Sequence, residues 1–114
     1  MDIEKYSKLH EKLFPNATAE SQFWKLEEEI QELKEAKTYN EQIKEVSDVM
    51  IVCCGLYRWF PLTARAVALR YYDRDVYDTD LIEQEVERKW KVNESRKWVW
   101  NGKTYKHEGK DGNE

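Results

Sequence analysis

The sequence predicts an all-α fold, an antiparallel bundle of four to five helices followed by a short C-terminal β-hairpin or extended tail. Over most of the chain, apolar residues recur at the three- and four-residue spacing of helices and not in the alternation of strands. Near the end of the chain, the pair Asn101-Gly102 stands between β-forming residues, which is a strong hairpin signal. The chain of 114 residues has the length of one ordinary domain. We therefore expect a single domain over residues 1–108 and a disordered tail over residues 109–114.

Two helices are predicted in the first third of the chain. The first runs from Ile3 to Phe14 and ends before Pro15, because the residue before a proline resists the helical conformation. Thr18 is then a suitable cap for a second helix that continues to about Lys37. The apolar stripe of this second helix consists of Phe23, Leu26, Ile30 and Leu33.

The third predicted helix begins after a cap at Asn40, and its second half is apolar on nearly every side. Such a helix is typical of the interior of a protein or an oligomer. Within it, Cys53 and Cys54 are adjacent, so their side chains point in different directions and a disulfide between them is not expected. Two cysteines, no apolar run of about 20 residues and no signal-like start predict a cytoplasmic protein that does not enter a membrane.

The remaining elements are two helices and the hairpin. A proline opens the fourth helix, over residues 61–72. The last helix is capped by Thr79 or Asp80 and continues to about Lys97. The two strands that flank the Asn-Gly pair are predicted at residues 98–100 and 103–105.

The net charge of −4 is unevenly distributed along the chain. Residues 1–48 carry 12 acidic and 7 basic side chains, whereas residues 88–114 carry 8 basic and 4 acidic side chains. Solvated helix faces followed by a basic tail are the usual origin of such a pattern. An acidic cation site that faces a basic anion site is the alternative.

Carboxylates are paired at helical spacing on both the second and the third predicted helix. Glu29 and Glu32 are three residues apart, as are Glu45 and Asp48, so each pair lies on one face of its helix. The helical phase places Glu29 and Glu45 at the edges of apolar stripes, where an unpaired carboxylate is costly. A shared Mg²⁺ or Mn²⁺ ion, which prefers oxygen ligands, would balance that cost. The alternative is an acidic surface neutralised by nearby lysines, namely Lys25, Lys34, Lys37 and Lys44.

The last predicted helix carries a basic stripe. Lys89, Asn93 and Arg96 share one side of it and offer the charges and donors that suit phosphate oxygens. A solvated helix end favoured by the helix dipole is the alternative. Trp98 and Trp100 follow this stripe in the sequence. Two interpretations are open for them: their rings stack on a nucleotide base, or they pack against the hydrophobic core. Single-stranded nucleic acid is a further possible ligand, but the overall acidity and the absence of a known motif argue against it.

Three segments together resemble the MazG-type all-α nucleoside-triphosphate pyrophosphohydrolases. They are Lys25-Leu26-Glu27-Glu28-Glu29-Ile30-Gln31-Glu32-Leu33, Glu45-Val46-Ser47-Asp48-Val49 and Lys89-Trp90-Lys91-Val92-Asn93-Glu94-Ser95-Arg96-Lys97-Trp98. The last segment is similar to the late Lys, Asn and Arg-Lys-Trp run of small, often phage-encoded members. The resemblance covers residues 20–100.

The resemblance implies an enzyme that cleaves a nucleoside or deoxynucleoside triphosphate to a monophosphate and pyrophosphate, by attack of water on the α-phosphorus. It implies Mg²⁺ ligands at Glu29, Glu32, Glu45 and Asp48, and phosphate contacts from Lys89, Asn93 and Arg96. It also implies that Glu28 orients or deprotonates the attacking water. Family members assemble as homodimers or homotetramers, so a homo-oligomer is expected.

One feature departs from the family pattern, and one other function stays open. The chain between Asp48 and Lys89 is longer than in compact members, so the segment 59–78 is interpreted as an inserted helix that shapes a base pocket or an oligomer contact. The alternative function is a non-catalytic helical oligomer that acts as a protein-interaction module, in which the acidic residues are merely solvated.

Overall fold

The computed structural model describes residues 1–108, which form five helices and a two-stranded antiparallel hairpin. This confirms the predicted all-α bundle with a C-terminal hairpin. The predicted tail, residues 109–114, lies outside the described residues. The elements are α1 (Ile3–Leu13), α2 (Ala19–Glu35), α3 (Tyr39–Leu56), α4 (Pro61–Tyr71), α5 (Thr79–Ser95), β1 (Trp98–Trp100) and β2 (Tyr105–His107).

Helix α3 is the centre of the bundle and packs against α1, α2, α4 and α5. It takes this position because its second half is apolar on nearly every side and is buried as a continuous run from Val52 to Leu56. Cys53 and Cys54 are free thiols in this run, as their spacing predicts. Helix α3, and helix α2 that packs against it, are therefore held in place by the core. The carboxylates of these two helices project from a rigid framework.

The structure corrects the predicted caps of two helices. Helix α3 is capped by Thr38 and not by Asn40, because the Thr38 hydroxyl accepts the backbone N–H three residues ahead at 3.1 Å. Helix α5 is capped by Asp78 and not by Thr79 or Asp80, because the Asp78 carboxylate accepts the N–H of Asp80 at 2.9 Å. Cap-forming residue types stand at neighbouring positions in both connectors, so composition alone does not choose between them.

The hairpin has a different register from the predicted one. Trp100 pairs with Tyr105, so the loop has four residues and the second strand begins two residues later than predicted. Asn101 explains the longer loop, because its side-chain oxygen accepts the backbone N–H groups of both residues before Tyr105, at 2.9 and 2.8 Å. Gly102 supplies the left-handed conformation that this loop requires, with φ at 93°.

The segment 59–78 contains helix α4, which confirms the predicted fourth helix, and the interpretation of this helix as an insertion relative to the family remains a prediction. Ala64 is its buried contact with the core, whereas Leu62 and Leu69 are 82% and 78% exposed. The predicted homo-oligomer remains a prediction. Across residues 1–108, no helix combines the length and the apolar character needed to cross a lipid bilayer.

Candidate metal centre and nucleotide cleft

Four carboxylates meet where α2 packs on α3. Glu29, Glu32, Glu45 and Asp48 each contribute one oxygen atom, and these four oxygens all lie within 4.8 Å of one another. The short connector between α2 and α3 makes the helices antiparallel neighbours, so the two pairs predicted from helical spacing face each other. Hard oxygen ligands in this number suit a divalent cation. The structure thus brings together all four predicted metal ligands in a cluster that can hold a metal ion.

Two oxygens of this cluster are buried without a hydrogen-bond partner in the described part of the chain. They are Oε2 of Glu29 and Oε2 of Glu45. A buried polar atom that lacks a partner costs free energy, and a carboxylate oxygen costs more than a neutral group. A cation bound among the four carboxylates would satisfy these atoms, which is the fit expected of a metal site.

The electrostatics of the cluster also favour a bound cation. Burial, followed by the charge of Asp48, raises the pKa of Glu29 to about 9. The same two causes, with a further contribution from Glu32, raise the pKa of Glu45 to about 7. Burial also raises the pKa of Asp48, although the ion pair with Lys89 opposes the shift. The cluster without a cation therefore retains protons, and cation binding would release them.

Lys89 connects the acidic cluster to the basic stripe. Its Nζ atom lies 2.5 Å from Oδ1 of Asp48, and both side chains are mostly shielded from solvent. This contact joins α5 to α3 at the cluster. The basic stripe predicted on the last helix therefore faces the acidic cluster directly, which is the arrangement that the uneven charge distribution suggested.

Three carboxylates of the cluster, Glu29, Glu32 and Asp48, form one wall of a cleft of about 440 Å³ between the helices and the hairpin, whereas Glu45 is not among the residues that line it. The predicted residues Glu29, Glu32, Asp48, Lys89, Asn93 and Arg96 line it. Trp98, which the sequence suggested as a residue that stacks on a base or closes the core, also lines the cleft. The sequence did not assign seven further lining residues to the site: Arg88 and Val92 on α5, Tyr105, Lys106 and His107 on β2, Ile51 on α3 and Lys25 on α2. The spacing of Lys25, four residues before Glu29 on the same helix face, is a signal that would have identified it. The cleft thus combines an acidic wall with a basic wall.

Glu28, the predicted catalytic residue, lies elsewhere. Its side chain is exposed and lines a separate cavity of about 360 Å³ between α2 and the hairpin loop. In that cavity Lys103 lies over the ring of Trp24, 4.4 Å from its centroid. The structure therefore does not bring Glu28 into the cleft, and its role in catalysis remains a prediction.

A smaller inner pocket of about 140 Å³ continues from the cleft into the protein. It shares Glu29, Asp48 and Asn93 with the cleft, as well as the rings of Trp98 and Tyr105, and Phe14 lines the inner pocket alone. Phe14 packs against Trp98 with ring centroids 4.9 Å apart and against Tyr105 at 5.1 Å. The Tyr105 hydroxyl accepts the backbone N–H of residue 16 at 2.8 Å and thereby fastens the hairpin to the α1–α2 connector.

Comparison of the chain with protein-family models, with curated proteins and with solved structures gives no match. The resemblance to the MazG-type pyrophosphohydrolases therefore rests on the motifs themselves and remains a prediction.

Proposed function

We propose that the protein is a nucleoside-triphosphate pyrophosphohydrolase that depends on Mg²⁺ or Mn²⁺ and converts its substrate to a monophosphate and pyrophosphate. One observation carries the proposal. A cluster of four carboxylates, two of which have a buried unpaired oxygen, lies at a cleft that three of the four line and whose other wall carries basic side chains. A cation site beside a polycationic surface suits a polyphosphate, because such a substrate is bound through both metal and basic side chains.

Glu29, Glu32, Glu45 and Asp48 would hold the metal. A bound divalent cation neutralises phosphate charge and lowers the pKa of a coordinated water. The chain's own contribution is positional, because both carboxylate pairs extend from helices that are packed into the core. Glu45 borders the apolar stripe of α3 by helical phase, and one of its oxygens is fully buried.

Lys89 and the basic side chains around it would bind the phosphates. In the structure Lys89 is the counter-charge of Asp48, so a cation at the cluster would release its ammonium group toward a phosphate oxygen. Arg96, Asn93 and Arg88 line the same wall on α5, and Lys25 lies on α2 beside Glu29. These donors would hold the triphosphate in line with the acidic cluster, which is the positioning that phosphoryl chemistry requires.

The buried carboxylate oxygens also bear on the alternative function. A protein-interaction module with solvated acids gives no reason for Glu29 and Glu45 to bury unpaired oxygens. The cleft and its inner pocket likewise have no role in such a module. We therefore favour the enzyme, and the interaction module becomes the outcome indicated if no turnover is found.

The proposal is tested by measuring pyrophosphate release from each ribo- and deoxyribonucleoside triphosphate, with Mg²⁺ and with EDTA. We expect release with Mg²⁺ and none with EDTA. Glu45→Gln should reduce turnover by at least about 100-fold, because it removes a charged ligand. Glu94→Gln is the matched control, since this exposed glutamate on α5 lies outside the cluster. Folded wild-type protein that releases no pyrophosphate, or a fully active Glu45→Gln variant, would overturn the proposal.

A further inference from the structure

The inner pocket ends at two buried polar side chains, His10 and Gln22, which are 5% and 4% exposed. Both lie against α3 at Gly55. A Cβ atom built at Gly55 would lie 2.3 Å from Oε1 of Gln22 and 2.5 Å from Nε2 of His10, so any side chain at this position would force the two polar side chains to move. A glycine in this buried helix therefore leaves the space that the polar pair occupies.

The hydrogen bonds of His10 determine which way the Gln22 amide faces. Nη1 of Arg58 lies 3.2 Å from Nδ1 of His10, and a guanidinium only donates, so Nδ1 accepts. Burial, followed by the charge of Arg58, lowers the pKa of His10 to about 3, so the ring is neutral at physiological pH. A neutral ring with an accepting Nδ1 carries its proton on Nε2. His10 therefore donates to Gln22, whose oxygen Oε1 lies beside Nε2 at Gly55.

The amide nitrogen of Gln22 is consequently the group left to interact with a molecule in the pocket. Its one recorded contact is a long hydrogen bond of 3.4 Å to Oγ of Ser21, which also lines the pocket. The hydroxyl of Ser21 donates to the carbonyl of Thr18 at 2.7 Å and accepts the backbone N–H of Thr18 at 3.0 Å. It can therefore accept only one of the two N–H groups of the Gln22 amide and leaves the other available. The end of the pocket thus offers a donor, which would bind an acceptor.

The path from the cleft to this donor fits a nucleotide. The pocket opens beside Glu29 and Asp48, so phosphates held at the cluster would leave the base directed inward. The part of a base that lies farthest from the sugar is the substituent on C4 of a pyrimidine or C6 of a purine. Phe14, Trp98 and Tyr105 supply the aromatic surroundings on which a base packs favourably.

We propose that the inner pocket binds the base and that the Gln22 amide selects bases with a carbonyl oxygen at C4 or C6. Uracil, thymine, hypoxanthine and guanine present an acceptor there. Cytosine and adenine present an amino group at this position. Because this amino group and the Gln22 amide N–H are both donors, neither would have a hydrogen-bond acceptor. This inference rests on the proposed function, because that function places the phosphates at the cluster.

Two pairs of substrates differ at this atom and test the selection directly. They are dUTP with dCTP, and dITP with dATP for the same exchange on a purine. We expect kcat/KM to be about 10- to 100-fold higher for the carbonyl member of at least one pair. Gln22→Met keeps a similar volume and removes the donor, so the ratio should fall to about 1. Gln84→Met, at an exposed position on α5, is the matched control and should keep the wild-type ratio.

Binding of dUMP and dCMP, followed by tryptophan fluorescence, separates the two proposals. Turnover without preference within either pair overturns the base selection and leaves the proposed function intact. Tighter binding of dUMP without any turnover supports the selection and overturns the proposed function. A Gln22→Met variant that folds and keeps the preference also overturns the selection, and if this variant does not fold, the wild-type ratios decide.

Discussion

Replacing Glu45 by glutamine should stabilise the metal-free protein, although the same change removes the proposed activity. Burial and like charges raise the pKa of Glu45 from 4.5 to about 7, which corresponds to about 3.4 kcal/mol for ionisation in the folded state. A carboxylate pair 4.8 Å apart repels by about 3.5 kcal/mol at an effective dielectric constant of about 20, in agreement with that magnitude. Since Glu45 is partly exposed, solvent screening reduces the expected gain to about 1–2 kcal/mol.

The assay is thermal unfolding followed by circular dichroism, in EDTA and in excess Mg²⁺, at about pH 8, where the wild-type Glu45 is ionised. In EDTA, Glu45→Gln should raise Tm by about 5–10 °C, and Glu94→Gln should change the free energy of unfolding by less than about 0.5 kcal/mol. Mg²⁺ should raise the Tm of the wild type and of Glu94→Gln more than that of Glu45→Gln. A Glu45→Gln variant that is less stable than wild type in EDTA would show that the Glu45 carboxylate does not destabilise the metal-free fold. A variant that gains as much stability from Mg²⁺ as wild type would show that Glu45 does not bind the cation.

Three further predictions follow from the same contacts. Because the pKa of Glu29 is raised to about 9, the folded state keeps a proton that the unfolded state loses above about pH 4.5. The metal-free protein should therefore lose stability in urea unfolding as pH rises from about 5 to 9, while its affinity for Mg²⁺ rises. Gly55→Ala should lower the free energy of unfolding by about 1–2 kcal/mol, despite better helix propensity, because its Cβ meets Gln22 and His10. Lys89→Met should lower kcat/KM for pyrophosphate release by about 100-fold yet keep the Tm increase with Mg²⁺.

Each of these predictions has a contrary result. Stability that rises with pH in EDTA would mean that Glu29 is not held protonated in the folded state. A Gly55→Ala variant as stable as wild type would mean that His10 and Gln22 can move away from the added Cβ atom without loss of stability. Loss of the Mg²⁺ effect in Lys89→Met would assign Lys89 to the cation site and not to the phosphates.

Local patterns in the sequence were sufficient to predict the helices and the four clustered carboxylates. Glu29 and Glu32, like Glu45 and Asp48, are three residues apart, and this spacing alone places each pair on one helix face. Helical phase also predicts that both pairs border apolar stripes. Since a short connector makes two helices antiparallel neighbours, the meeting of the pairs follows from local rules.

The inner pocket was not predictable in the same way, because its parts come from distant segments. His10 on α1, Gln22 on α2 and the hairpin aromatics are brought together by tertiary packing, which helical phase does not describe. Gly55 was the one available signal, since a glycine inside an apolar helix often marks close approach of another group. The hairpin register was missed for a local reason, because the Asn101 side chain stabilises a four-residue loop in place of the two-residue turn.

The proposed reaction begins with attack of water on the α-phosphorus at the carboxylate cluster. Turnover in water enriched in the heavy oxygen isotope, with the products separated and analysed by mass spectrometry, shows which phosphorus the water attacks. We expect the labelled oxygen in the nucleoside monophosphate and none in the pyrophosphate. Label in the pyrophosphate would contradict attack on the α-phosphorus, as would products consisting of a nucleoside diphosphate and inorganic phosphate.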